Sequence, residues 1–229
     1  MTEIEFLIFL KRMALDEDVG DGFEGMDYIS ELFFSFVGEG NIIATSVDKW
    51  KETLKEKRMK GIRLVVPVDN NTDYNVAGFA NGVQKGLFCE YEECNTLWQS
   101  CWEFDNEIKK WNIRIIEKEV DWHKDAYKYV DNLDEFLVVL TEIEKLAVRL
   151  EEVGFANCFR RAIDILNGDG LTKKKKYLSA ARSANVFGGM GSWNDSPAGL
   201  AYSRGLGDEY KELTGNLYKH IQIALVLSS

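Results

Sequence analysis

Two histidines, His123 and His220, are all that 229 residues offer for chemistry built on imidazole. His123 follows a tryptophan at an expected strand end, and His220 lies beside an apolar helical stripe. Neither has a triad or acid–base motif around it, so no catalytic residue is assigned. Four cysteines are too few to staple a fold of this length, which implies a reducing, cytoplasmic location. Cys89, Cys94 and Cys101 are spaced C-x4-C-x6-C and lack the second close pair that a structural zinc site needs. They read instead as small buried residues of strands, and no metal is expected. No apolar run approaches the roughly 20 residues of a membrane span. The N-terminus places acids before its short apolar run and bases after it, the reverse of a secretory signal.

Bases are also scarce. The net charge is −10, and the first 48 residues hold eleven acids against two bases, so nearly all the imbalance sits there. Such a field repels nucleic acid and anionic membrane and attracts a basic partner. The acids cluster on a glycine-rich loop composition, D-E-D-V-G-D-G-F-E-G-M-D, which singles out Asp16, Glu17, Asp18, Asp21, Glu24 and Asp27 as partner-binding residues. Asp16 and Asp18 alternate as calcium ligands would, but Gly20 takes the third ligand place, so the EF-hand pattern fails.

The fold class expected is α+β. Residues 1–128 carry mixed signals: a helix with Ile4, Leu7, Ile8 and Leu10 on one side, a second over 26–37 ending at Gly38, and a third capped by Thr45 or Ser46 and running to about Met59. Then I-R-L-V-V-P-V, G-L-F-C-E-Y, T-L-W-Q-S-C-W-E-F and N-I-R-I-I-E-K-E-V-D-W read as three or four strands of an antiparallel meander, with Pro67 marking an edge position or a strand end. Residues 129–229 read as wholly helical. Asn132 and Glu135 have capping-box spacing before a helix that Gly154 ends. Helices over 155–166 and from Thr172 to about Phe187 follow, and one capped by Asp208 carries Tyr210, Leu213, Leu217, Ile221, Ala224 and Leu225. Short connections between four amphipathic helices predict a small bundle. The lysine run 173–176 opens a helix, where the dipole disfavours positive charge.

One stretch stands apart: Phe187, Gly188, Gly189, Met190, Gly191, Ser192, Trp193, Asn194 and Asp195. It follows a helix and lacks a lysine after its glycines, so it is neither a P-loop nor a dinucleotide loop, and no cofactor is expected. Gly188 fits a left-handed helix end, Phe187, Met190 and Trp193 fit inward plugs, and Asn194, Asp195 or Ser196 fits a cap before Pro197. The stretch reads as an over-specified corner of the bundle.

That motif, from Phe187 to Asp195 between short helices and a long one, resembles a bacterial domain family of uncharacterised function, over roughly residues 132–227. Several members look like immunity proteins encoded beside polymorphic toxins of contact-dependent or secreted systems. The resemblance implies a cytoplasmic protein that inhibits a cognate toxin domain by tight binding, with carboxylates covering a basic active site such as that of a nuclease. A second copy of the chain stays open as a partner. Two other functions compete: a small enzyme using Trp98, Trp102, Glu103 and Asp105, and a scaffold or oligomerisation module using the helical half.

Overall fold

The computed structural model describes residues 2–19, 26–36, 42–66, 68, 74–76, 79–82, 85–123, 125–131 and 133–229. They divide into two compact units: residues 1–67 and 84–128 with residue 229, and residues 68–83 with 129–228. The excursion 68–83, between the first two meander strands, belongs to the second unit.

The first unit is built on a sheet. Helix α1 (Glu3–Ala14) opens with a complete capping box, Thr2 and Glu5 satisfying each other's backbone N–H. It is buried continuously from Ile4 to Lys11, because Phe6 and Phe9 widen the apolar face beyond the expected stripe. Helix α2 (Val47–Glu56) starts at Ser46, whose side chain accepts from the N–H of Lys49 at 3.3 Å, and buries Trp50 and Leu54. The strands are β1 (Ile29–Phe36), β2 (Ile42–Ala44), β3 (Gly61–Val65), β4 (Gly86–Glu90), β5 (Asn95–Asp105) and β6 (Lys110–Glu119), in the spatial order β2-β1-β6-β5-β4-β3.

The meander from β3 to β6 is antiparallel throughout, and β3 lies at the sheet edge; Pro67 itself falls outside the described residues. The expectation of a helix over 26–37 is wrong: the segment is β1, which pairs in parallel with β6 and turns the sheet from antiparallel to mixed. Cys89 is buried as expected, whereas Cys94 and Cys101 are exposed, Cys94 because it sits in the β4–β5 turn.

Pairing register puts Phe34, Phe36, Ile113, Ile115, Glu117, Trp98, Trp102 and Cys89 on one sheet face. Trp50 packs there, its ring 5.1 Å from Phe34 and 5.7 Å from Trp98, and Phe6 lies edge-on to Trp102 at 5.5 Å. Gly86 is required by this packing, since a Cβ there would lie 2.6 Å from the Trp98 carbonyl oxygen.

The second unit contains five α-helices among its described residues, α3 (Leu133–Arg149), α4 (Val153–Asn167), α5 (Lys173–Ala184), α6 (Ser196–Ser203) and α7 (Gly207–Ser228), and a single 3-10 turn, Tyr74–Val76. The short α6 is additional to the expected four. Gly154 does not end α3; it lies inside α4. The stop is a Schellman turn in which Glu151 takes the left-handed position (φ 63) and the Glu152 N–H reaches the Ala147 carbonyl at 2.9 Å. Asn132 of the expected capping box lies outside the described residues. The lysine run finds local work: Lys173 pairs with Asp131, and Lys176 donates at 3.3 Å to the Leu166 carbonyl at the end of α4. That carbonyl is one of the orphan acceptors of a helix C-terminus.

The α7 stripe is buried at Tyr210, Leu217, Ile221, Ala224 and Leu225. His220 is buried beside it, stacked on Phe136 at 6.0 Å, and its Nδ1 has no hydrogen-bond partner among the described residues. Burial holds its pKa below the ordinary 6.5, against the opposing pull of Glu135. Because the unfolded chain binds the proton more readily, stability of this unit is full above pH 6.5 and falls as pH drops toward the folded-state value. Denaturant midpoints measured from pH 8 to pH 5 are expected to show this slope and His220→Gln to flatten it. An equal slope in both proteins rules out His220 as its source.

Candidate functional site

The acid-rich segment begins where α1 ends. Asp16 occupies the left-handed position (φ 57) of a Schellman turn, with the Glu17 N–H bonded to the Arg12 carbonyl at 3.0 Å. Glycine is usual there; here the Asp16 carboxylate is held by α2, hydrogen-bonded to Lys51 and 3.7 Å from Lys55. The hydrogen bond from Lys51 is the main reason its pKa lies below the ordinary carboxylate value. Glu17, Asp18 and Asp27 are exposed, whereas Asp21 and Glu24 lie outside the described residues. So the chain's own lysines already engage Asp16.

The glycine-rich stretch of the second unit is a braced corner. Two bonds join Asn194 to Gly188: the Gly188 N–H donates to Asn194 Oδ1 at 3.0 Å, and Asn194 Nδ2 donates to the Gly188 carbonyl at 3.2 Å. The Gly191 N–H donates to Asp195 Oδ2 at 2.7 Å, and Gly191, not Gly188, is the left-handed residue (φ 81). Asp195 is the N-cap of α6 by position, but its side chain makes no cap bond, being turned to Gly191; Pro197 sits in the first turn as expected. Trp193 is fully buried, and Phe187 packs edge-on to Tyr218 at 5.2 Å. Met190 is not a plug: it is 98% exposed, because the left-handed turn at Gly191 aims the preceding residue outward. These contacts brace the corner from within.

The tryptophans and carboxylates of the enzyme alternative do not converge. Trp98 and Trp102 are buried under the helices, Glu103 is exposed on the opposite sheet face, and Asp105 accepts the N–H groups of Glu107 and Ile108 in the β5–β6 turn. The carboxylate that meets aromatic rings is Glu117, which sequence reasoning missed. Its signal was present: in N-I-R-I-I-E it takes the inward position after Ile113 and Ile115, where alternation calls for an apolar residue.

Around Glu117 lies a cleft of about 390 Å³ at one end of the sheet, lined by Phe36, Lys57, Arg58, Tyr91, Cys94, Thr96 and four glutamates, Glu92, Glu93, Glu117 and Glu119. The Glu117 side chain is 1% exposed and accepts three hydrogen bonds: from Lys57 Nζ at 2.5 Å, Thr96 Oγ1 at 2.8 Å and Tyr91 Oη at 3.3 Å. Lys57 is the C-cap of α2, and a Schellman turn with Arg58 left-handed (φ 56) stops the helix where the ammonium reaches in. That ammonium stands 3.8 Å over the Phe36 ring and about 6 Å from those of Tyr91 and Trp98. Burial pushes the Tyr91 hydroxyl and the Cys89 thiol well above their ordinary pKa values, so both stay protonated at neutral pH.

No family model, curated protein or solved structure matches the chain. Among the described residues, no helix is long and apolar enough to cross a membrane.

Proposed function

We propose that this protein is a cytoplasmic immunity protein that neutralises a toxin domain with a basic active site, a nuclease or a toxin of similar charge, by tight binding. The observation that carries the reading is the concentration of acid at the start of the chain: eleven acids against two bases in the first 48 residues. Glu17, Asp18 and Asp27 stand exposed within that segment. The resemblance of the Phe187–Asp195 motif to immunity-type domains points the same way. Lys51 and Lys55, by holding Asp16, fix the turn that presents Glu17 and Asp18, which lowers the ordering cost of an encounter.

Opposed charge speeds association more than it strengthens the final complex. The triple variant Glu17→Gln, Asp18→Asn, Asp27→Asn is therefore expected to associate about tenfold more slowly at low salt with the basic protein that the tagged chain captures from a lysate of its own source. The gap should close as salt shortens the screening length. Stopped-flow mixing at two ionic strengths measures both. Equal rates at low salt would remove the acidic segment from the account.

A further inference from the structure

We infer that the cleft at Glu117 is a receptor for a primary ammonium or guanidinium group. The argument stands apart from the immunity reading, because it rests on the cleft alone. Its volume, about 390 Å³, falls within the range of small-ligand sites. Aromatic faces with carboxylates behind them are the chemistry that recognises organic cations.

The chain demonstrates that chemistry with its own side chain. Lys57 places its ammonium on the Phe36 ring and on a carboxylate that is almost wholly withdrawn from water. Lys57 satisfies Glu117 but leaves the cleft open beside it. There, Glu93 and Glu119 are exposed and form no ion pair among the described residues, whereas Glu92 lies 3.7 Å from Lys60. With Lys57 and Arg58 set against four glutamates, the lining carries a net charge of −2, so an entering cation is attracted and an anion is repelled. Glu93 and Glu119 would hold the entering group, Tyr91 and Phe36 would supply its apolar contact, and Lys57 would act as the resident competitor.

The test is a titration of the full chain with n-butylammonium and with methylguanidinium, followed by amide and indole NMR shifts; n-butyltrimethylammonium, which cannot donate hydrogen bonds, is the control. Shifts are expected at Tyr91–Thr96, Glu117–Glu119 and the Trp98 indole, with millimolar dissociation constants, as for ligands of this size. The double variant Glu93→Gln, Glu119→Gln changes only exposed side chains and should weaken binding about fivefold. Lys57→Met should tighten it severalfold by removing the competitor, and n-butylammonium should raise the melting temperature of that variant more than that of the wild type. Should Lys57→Met fail to fold, the glutamine pair decides alone. Absence of cleft shifts, shifts spread evenly over the acidic surface, or unchanged affinity in the double variant overturns the proposal. A lysine-bearing peptide that binds much more tightly than n-butylammonium identifies a protein side chain as the source of the cation; equal affinities identify a free amine.

Discussion

Replacing Trp193 with alanine is expected to cost the helical unit about 3–5 kcal/mol, the range for emptying a fully buried aromatic site. The ring is enclosed by other rings. Tyr210 stacks at 5.4 Å, and Phe155 and Phe159 meet it edge-on at 5.4 and 5.3 Å. Its indole N–H donates at 2.9 Å to the hydroxyl of Thr214, itself fully buried, and its carbonyl accepts from Tyr210 Oη at 2.6 Å. Alanine removes the ring contacts and the donor to the Thr214 hydroxyl. Trp193→Phe keeps most of the volume and loses the N–H bond, so it should cost about 1–3 kcal/mol, the penalty for an unsatisfied buried polar group. Denaturant unfolding of the two variants, read by near-ultraviolet circular dichroism, separates the terms. A loss below about 1 kcal/mol in Trp193→Ala contradicts the assignment of this stretch as the brace of its unit.

The second large effect lies at Glu117. Lys57→Met leaves a buried carboxylate with two neutral donors and no countercharge. Breaking one side of a buried pair costs about 3–5 kcal/mol. Because the Lys57 side chain is 32% exposed, solvent screening brings the expected loss below that range, to about 2–4 kcal/mol. Adding Glu117→Leu removes the stranded charge and should restore most of the loss, since replacing both partners by apolar groups is often neutral. A double variant no more stable than Lys57→Met would mean that Thr96 and Tyr91, left without their acceptor, matter more than the ion pair.

Local signals were legible where one segment carries them alone. The cap at Ser46 and the alternation of the meander strands lie within a few residues of the elements they start or form, and the structure places those elements accordingly. Residues 26–37 were not legible, because Ile29, Leu32, Phe33 and Phe36 recur at helical spacing, whereas the strand puts Leu32, Phe34 and Phe36 on one face. What decides is a parallel partner, β6, about eighty residues away, and tertiary pairing overrides propensity in such a segment. The helix stops failed for a different reason. Asp16, Arg58 and Glu151 take the left-handed place normally given to glycine, so the search for glycine pointed to Gly154 instead. Of the candidate sites, the acidic segment is plain in the composition. The cleft is not, because it joins the end of α2, the β4–β5 turn and the third inward residue of β6.

The central claim, that the chain neutralises a basic toxin by binding it, is tested most directly by co-expression with the basic protein that the tagged chain captures from a lysate of its own source. Host survival is scored, and the tagged chain is purified with whatever remains bound. The account predicts that the chain restores growth and elutes with that single basic protein in fixed stoichiometry. A folded chain that neither restores growth nor retains the protein at low salt contradicts it.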